Sequence, residues 1–577
     1  MRLRPELAAI GAAIAVLGAS PLAQPSTFDV LIRNGRVMDG SGNPWMRADI
    51  GIREGRIAAL GHLPNARAAK TIDAADQLVT PGFIDVHSHA AEPLANASLH
   101  HGKPLLAQGV TTIVGNPDGG GPTDLRTQRE ALEKGGIGPN VAQLIGHGSV
   151  RRAMMGDENR QATPAELDRM RALVREGMTQ GAFGLSSGLF YTPGSFANTE
   201  EVIALAAVAG ESGGLYTSHI RDEGNYSIGV VAAVQEVIRI AEDAHVTGIV
   251  SHMKALGPDS WGLARTCITK IDEARARGVS VFADQYPYEA SSTSLSAALL
   301  PGVVIEREAI QKAVTAASPA AIKERDGFEA TIRENLRRRA GARAVQIAFY
   351  RPDPSLQGKT LEEIAASRKL APERAALEMI SRGNASIVSF NMSEDDIREI
   401  MTQPYTMASS DGGLTLPGAG QPHPRDYGAF ARRLGVYVRE RNVVSLEFAI
   451  RSMTSLPAAV FGMADRGVIR EGAAADIAVF DPARIRDVAT YTQPHQLAEG
   501  MSYVLVNGVV VIDKGTFTDA LPGKVLRKGE RVGGAEIRAY AVVNRPAASR
   551  LDPSTPRGLQ ARHTRRRRSR KAALARR

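Results

Sequence analysis

Four histidines and one aspartate stand where strand ends can bring them together. The run Thr80-Pro81-Gly82-Phe83-Ile84-Asp85-Val86-His87-Ser88-His89 carries an apolar strand into a His-x-His pair. Side chains alternate along an extended segment, so His87 and His89 face one way and can reach one ion. His219, closing Leu215-Tyr216-Thr217-Ser218-His219, and His252, closing Gly248-Ile249-Val250-Ser251-His252, each follow a short, mainly apolar run. A lone histidine at such a point is commonly a hydrogen-bonded structural residue; four of them are harder to explain that way. Asp411 ends another short segment, Met407-Ala408-Ser409-Ser410-Asp411-Gly412. A carboxylate beside a bound cation stays ionised and can take a proton from water, which suits metal-assisted hydrolysis. The plainer alternative for Asp411 is an Asp-Gly turn.

The elements that would position these groups fall into a pattern. Val110-Thr111-Thr112-Ile113-Val114, Gly181-Ala182-Phe183-Gly184-Leu185, Gly248-Ile249-Val250-Ser251 and Val279-Ser280-Val281-Phe282-Ala283 read as buried parallel strands, with helical periodicity between them at 200–209 and 228–241. This alternation predicts an α/β chain, a (β/α)8 barrel over residues 81–465 more readily than two open sheets. Between about 295 and 343 the rhythm breaks into charged helix, read as an insertion. Both ends have a β texture, at 25–80 and 466–530, with Asn34-Gly35, Glu54-Gly55 and Asn507-Gly508 as tight hairpin turns. Two distant ends of like texture suggest one domain assembled from both.

Composition excludes several classes. With 43% hydrophobic and 23% charged residues, the chain of 577 residues is neither disordered nor collagen-like nor a multi-span membrane protein. A single cysteine, Cys267, excludes a disulfide framework and any zinc site built on two thiolates. Aromatic residues are only 5%, too few for a base-stacking platform, so no specific nucleic-acid partner is expected. The net charge of +9 sits in a tail: residues 557–577 hold ten Lys and Arg and no acid, so the rest is near neutral. The segment 531–577 reads as a basic, solvated appendage. At the other end, Arg2 and Arg4 precede an apolar run over 7–17, followed by small residues and prolines. That run is too short to span a bilayer and suits an export signal over 1–24. Export, to the periplasm, is the expectation, with a cytoplasmic protein bearing a helical N-terminal extension as the alternative.

At this point the sequence resembles the metal-dependent amidohydrolase superfamily, and within it the N-acyl-D-amino-acid deacylases (D-aminoacylases). The stretches that carry the resemblance are Pro81-Gly82-Phe83-Ile84-Asp85-Val86-His87-Ser88-His89, Gly184-Leu185-Ser186-Ser187-Gly188-Leu189, His219-Ile220-Arg221-Asp222-Glu223-Gly224, Ser251-His252-Met253-Lys254, Asp284-Gln285-Tyr286-Pro287-Tyr288 and Ser410-Asp411-Gly412. The closing Gly-x-x-Ala-Asp-Ile-Ala-Val-Phe-Asp from Gly472 to Asp481 belongs with them. The resemblance implies a TIM-like barrel beside a small β-sandwich built from both chain ends, an inserted lid, and one or two divalent metals, usually zinc. It implies His87 and His89 at one metal position, His219 and His252 at the other, and Asp411 as general base and then acid. Lys254 and Tyr288 would hold substrate or polarise its carbonyl, and Arg221 or Lys254 would pair with a substrate carboxylate.

One departure stands out. The family's usual Gly-Asn-Cys-Gly, whose cysteine is a metal ligand, reads Gly115-Asn116-Pro117-Asp118-Gly119 here. Proline offers no ligand atom. Asp118, one residue on, is either a substitute ligand or part of a Pro-Asp-Gly turn. The expected activity is deacylation of a small N-acyl-D-amino acid. A cyclic amide, lactone or dipeptide substrate is the alternative, since barrel loops set specificity. A catalytically inactive scaffold is the third reading, supported only by Pro117.

Overall fold

The computed structural model describes residues 27–302, 307–315 and 317–530. The export signal expected over 1–24 and the basic tail over 531–577 lie outside them. Among the described residues no helix is long and apolar enough to cross a membrane.

Parallel strands form two sheets whose ends meet. One runs Thr406–Ala408, Val281–Gln285, Gly248–Val250, Leu215–His219, Gly184–Gly188 and Ile145–Gly146. The other contains Asn140–Gln143, Val110–Gly115 and Phe83–Asp85. The backbone of Phe183 donates to Gln143 O at 2.9 Å on one side. On the other, Ser88 bridges Gly412 in parallel, with Asp411 N donating to His87 O at 2.9 Å and His89 N to Gly412 O at 2.8 Å. Asn140–Gln143 and Ile145–Gly146 are consecutive parts of one strand position, so the nine segments make a closed ring of eight positions, as the strand–helix alternation predicts. Helices such as Pro164–Thr179 and Val230–Asp243 pack outside it. The first starts on a reciprocal cap, Thr163 with Glu166, and buries Met170, Val174 and Met178 against the sheet.

Both chain ends build a second layer. Thr27–Val37, Met46–Arg53, Arg56–Gly61, Arg67–Asp73 and Leu78–Pro81 share one nine-stranded sheet with Ile477–Phe480, Met501–Val506, Val509–Asp513 and Thr516–Phe517. The join is antiparallel, Ile477 against Pro81 and Phe480 against Leu78. Val30, Ile32, Ile50, Ile52, Ile477, Val479 and Leu505 pack together on one face. Glu54-Gly55 and Asn507-Gly508 are tight turns with left-handed backbones. Asn34-Gly35 is not a turn: it is a bulge within Thr27–Val37. A Cβ on Gly35 would lie 2.5 Å from Val79 Cγ2, so glycine is there for a close strand crossing. The end of the expected terminal domain also differs, since Val525–Leu526 leaves it to pair with Val141 and Ala142 of the barrel.

The insertion is larger than its charged helix. Ser291–Ser294, Val345–Phe349 and Ser386–Ser389 form an antiparallel sheet of their own, and the helices Pro319–Arg338, Leu361–Arg368 and Pro372–Arg382 share its core. It thus spans about 291–389 rather than 295–343. Its second half is apolar enough to resemble further barrel units, which hid the boundary.

A polar clasp ties the terminal sheet to the barrel. Buried Asp476 accepts from Arg466 Nη1, from Asn140 Nδ2 at 3.1 Å and from Asn507 N at 2.6 Å. Asn507 Nδ2 in turn donates to Asn140 Oδ1 at 2.8 Å. Replacing Asp476 with Ala leaves the Arg466 charge only the more distant Asp465, at 3.9 Å, and strands the Asn140 and Asn507 donors. It is expected to destabilise the protein by about 2–4 kcal/mol. Urea unfolding of D476A measures it; a loss under about 1 kcal/mol would show that the clasp is dispensable.

Candidate metal centre and substrate cavity

At the carboxyl end of the barrel strands, the groups singled out by sequence converge. His87 Nε2 lies 3.2 Å from Asp118 Oδ1 and 3.6 Å from Asp411 Oδ1. His89 Nε2 lies 3.5 Å from Asp118 Oδ2 and 3.3 Å from Asp411 Oδ1. His219 Nδ1 and His252 Nε2 are 3.0 Å apart, and Asp118 Oδ1 stands 3.9 Å and 3.5 Å from them. Ligand atoms about 2.0–2.1 Å from one tetrahedral ion stand about 3.3–3.4 Å from each other. The observed separations are close to that edge length. Moreover, His87 Nε2 and Asp118 Oδ1 are buried and make no hydrogen bond, although they face each other. Atoms so placed point at a common centre between them, and the donor set fits a divalent ion.

Local backbone explains the convergence. Buried Asp85 staples two strand ends: its carboxylate accepts from His87 N at 3.3 Å, from Ser410 N at 2.9 Å and from Ser410 Oγ at 2.5 Å. Burial, partly offset by the Ser410 bonds, pushes its pKa up to about 6. Asn116, Asp118, His252 and Asp411 all have positive φ, a strained conformation for non-glycine residues that clusters at functional sites. The Asn116 amide exchanges hydrogen bonds with Gln128 at 2.8 and 3.0 Å. Gly119 follows where a Cβ would sit 3.0 Å from the backbone nitrogens of Gly148 and Gly188.

The electrostatics ask for positive charge. Burial alone would raise the Asp118 and Asp411 carboxyls. The imidazoles around Asp118, and Arg425 with His252 beside Asp411, reverse this and hold both well below the ordinary range. Burial would lower His89 and His252, yet the facing carboxylates push them up to about 9 and about 10. His219 is lowered to about 4 by burial. Glu223 Oε1 accepts from Lys254 Nζ and stands 3.0 Å from His252 Nδ1, leaving His252 Nε2 turned inward. A carboxylate behind a ligating imidazole fixes its orientation in this way.

The centre opens into a cavity of about 1040 Å3 lined by Phe190, Tyr191, Tyr226, Lys254, Tyr286 and Arg425, among others. Of the substrate-holding residues expected, only Lys254 reaches it. Arg221 does not line it: its guanidinium is held by Glu236 at 2.8 Å and by the carbonyls of Ser195 and Ala197. Tyr288 is buried behind the wall, donating to Pro424 O at 3.4 Å, whereas Tyr286 faces the cavity. Sequence reasoning assigned no role to Arg425, whose Nη1 donates to Asp411 Oδ2 at 2.7 Å, or to Glu223. Glu223 lies four residues after His219 and was visible as a spacing; Arg425 follows an irregular loop that carries no such signal. His147 is outside the cavity, 2.9 Å from Glu201.

The barrel and this cluster are those of a hydrolase that uses metal ions. Residues 70–512 match the amidohydrolase family. The chain is 35% identical to a D-aminoacylase of Alcaligenes xylosoxydans xylosoxydans, over 87% of this chain and 98% of that one. It is 36% identical to the same organism's N-acyl-D-glutamate deacylase, over 88% and 98%. A solved N-acyl-D-glutamate deacylase from Bordetella bronchiseptica, complexed with zinc and a phosphonate inhibitor, is 36% identical, with TM-score 0.74 over 87% of this chain and all of that one. The chain belongs to the amidohydrolase family, in its N-acyl-D-amino-acid deacylase branch, and depends on a divalent metal.

The carboxylates facing His89 and His252 favour protons on their rings, which an ion must displace. Zinc binding is therefore expected to release protons, and affinity to fall as pH drops. Calorimetry in buffers of different ionisation enthalpy reads the release; a value near zero would contradict this charge balance.

Proposed function

We propose that the protein hydrolyses N-acyl-D-amino acids to a carboxylate and a free D-amino acid. The observation that carries this reading is the placing of Asp411. One oxygen faces the metal centre and the other is held by Arg425, inside a cavity that also presents Lys254. A divalent ion supplies Lewis acidity there, polarising a carbonyl and acidifying water to a pKa of about 7. Asp411, ionised and fixed in orientation, receives the proton of the attacking water and delivers it to the departing nitrogen. Arg425 keeps Asp411 anionic until that transfer. Lys254 and Arg425 offer positive charge to the substrate's α-carboxylate, and Tyr286 walls the cavity beside both, with its ring 5.5 Å from Lys254 Nζ. Support for the D configuration comes from the activities of the relatives.

Asp411→Asn is expected to lower kcat/KM by about 10^2–10^4, measured on protein reloaded with metal to the parent's content. A panel of N-acetyl-D-amino acids, their L enantiomers and cyclic amides tests the substrate class. Turnover confined to cyclic amides, or an undiminished D411N, would overturn the reading.

Export is inferred as well, supported by Arg2, Arg4 and the apolar run over 7–17. Sequencing the N-terminus of protein recovered from fractionated cells should find it shortened and outside the cytoplasm. An intact Met1 in the cytoplasmic fraction would refute export.

A further inference from the structure

We propose that Asp118 bridges two divalent ions in a centre whose ligands are all nitrogen and oxygen. One ion would lie among His87, His89 and Asp411, the other between His219 and His252. The inference deepens the proposed function and rests on its metal-dependent site. The two histidine pairs hang on different parts of the ring, one after Phe83–Asp85 and the other on Leu215–His219 and just beyond Gly248–Val250. Asp118 touches both. Its Oδ1 faces His87 Nε2 at 3.2 Å, His252 Nε2 at 3.5 Å and His219 Nδ1 at 3.9 Å, and its Oδ2 faces His89 Nε2 at 3.5 Å. The Pro-Asp-Gly turn does form, Gly120 N donating to Pro117 O at 2.9 Å, but it does not leave the Asp118 carboxylate in solvent: Oδ1 is buried with no hydrogen bond, as a ligand atom would be.

The loop is built to hold it there. Pro117 fixes its own φ between two left-handed residues, Asn116 and Asp118. The Asn116 side chain is locked to Gln128 and also donates to Leu144 O at 3.2 Å. Gly119 N donates to Ser186 Oγ at 3.2 Å, and Ser186 Oγ to Asn116 O at 2.7 Å, tying the loop to the strand Gly184–Gly188 two positions along the ring. No thiolate competes: the only cysteine, Cys267, is packed in the core on helix Ala264–Ala276. Four imidazoles and carboxylate oxygens accept Mn2+ or Co2+ as well as Zn2+.

The test uses the full chain, stripped of metal and reloaded with Mn2+ or Zn2+. Metal content is measured by mass spectrometry and the Mn2+ form by electron paramagnetic resonance. The parent should hold two ions per chain and show an exchange-coupled Mn2+ spectrum. Asp118→Ala, and the isosteric Asp118→Asn as the variant least disturbing to folding, should lose the coupling and hold one ion at least about tenfold more weakly. Circular dichroism confirms that the variants are folded. A parent with one ion, two ions with isolated-ion spectra, or coupling that survives in folded D118A would each overturn the bridge. Turnover of N-acyl amino acids on the same samples separates the two claims. A one-ion protein that deacylates sinks the bridge alone, and a coupled two-ion protein inert on every N-acyl amino acid sinks the function alone.

Discussion

Everything at this end of the barrel answers to one constraint: imidazoles and carboxylates are packed within ligand distance of each other and largely out of water. Buried carboxylates without a compensating charge cost several kcal/mol each. Protons on His89 and His252 can supply part of that charge, and a divalent ion supplies it more completely. The separations fit the edge of a ligand tetrahedron. Although His89 Nε2 and Asp411 Oδ1 are within hydrogen-bond distance at 3.3 Å, His87 Nε2 and Asp118 Oδ1 face each other at 3.2 Å, buried and without a hydrogen bond.

That constraint accounts for features away from the ligands. Closure of the ring through Ser88 and Gly412 puts His87, His89 and Asp411 on adjoining strand ends, and Asp85 pins the join. Glu223 and Lys254 stand behind His252, and Arg425 stands behind Asp411, so the reacting groups are oriented before substrate arrives. The local strain of four left-handed residues is the cost of aiming them, held by loops clasped to the ring, such as Asn116 with Gln128. The insertion keeps a core of its own and reaches the cavity wall through Ser291–Ser294 and Ser386, whereas the terminal sheet packs against the barrel away from that wall.

Much of this was legible in sequence, for reasons that also explain the failures. His87 and His89 could be placed because strand alternation determines which way both rings face. His219, His252 and Asp411 could be placed because each follows a short apolar run. Pro-Asp-Gly alone admits Asp118 as ligand or turn residue; the structure makes it a turn residue whose carboxylate faces the histidines, an orientation set by a loop backbone that sequence does not reveal. Arg221 went wrong because its partner Glu236 comes from the following helix, and a cation's neighbours are a tertiary fact. Tyr286 and Tyr288 lie beyond the strand Val281–Gln285, where alternation gives no phase for choosing between them. The hairpin expected at Asn34-Gly35 failed similarly, because the close crossing of Val79 uses the same residue types as a turn.

The most direct test of the account is X-ray absorption spectroscopy of the zinc-loaded protein. It predicts a first shell of nitrogen and oxygen at about 2.0–2.2 Å with imidazole scattering beyond it. Loss of the imidazole contribution in a His219→Ala, His252→Ala protein would tie that shell to this site. A sulfur shell near 2.3 Å, or a shell unchanged by those substitutions, would contradict the centre described here.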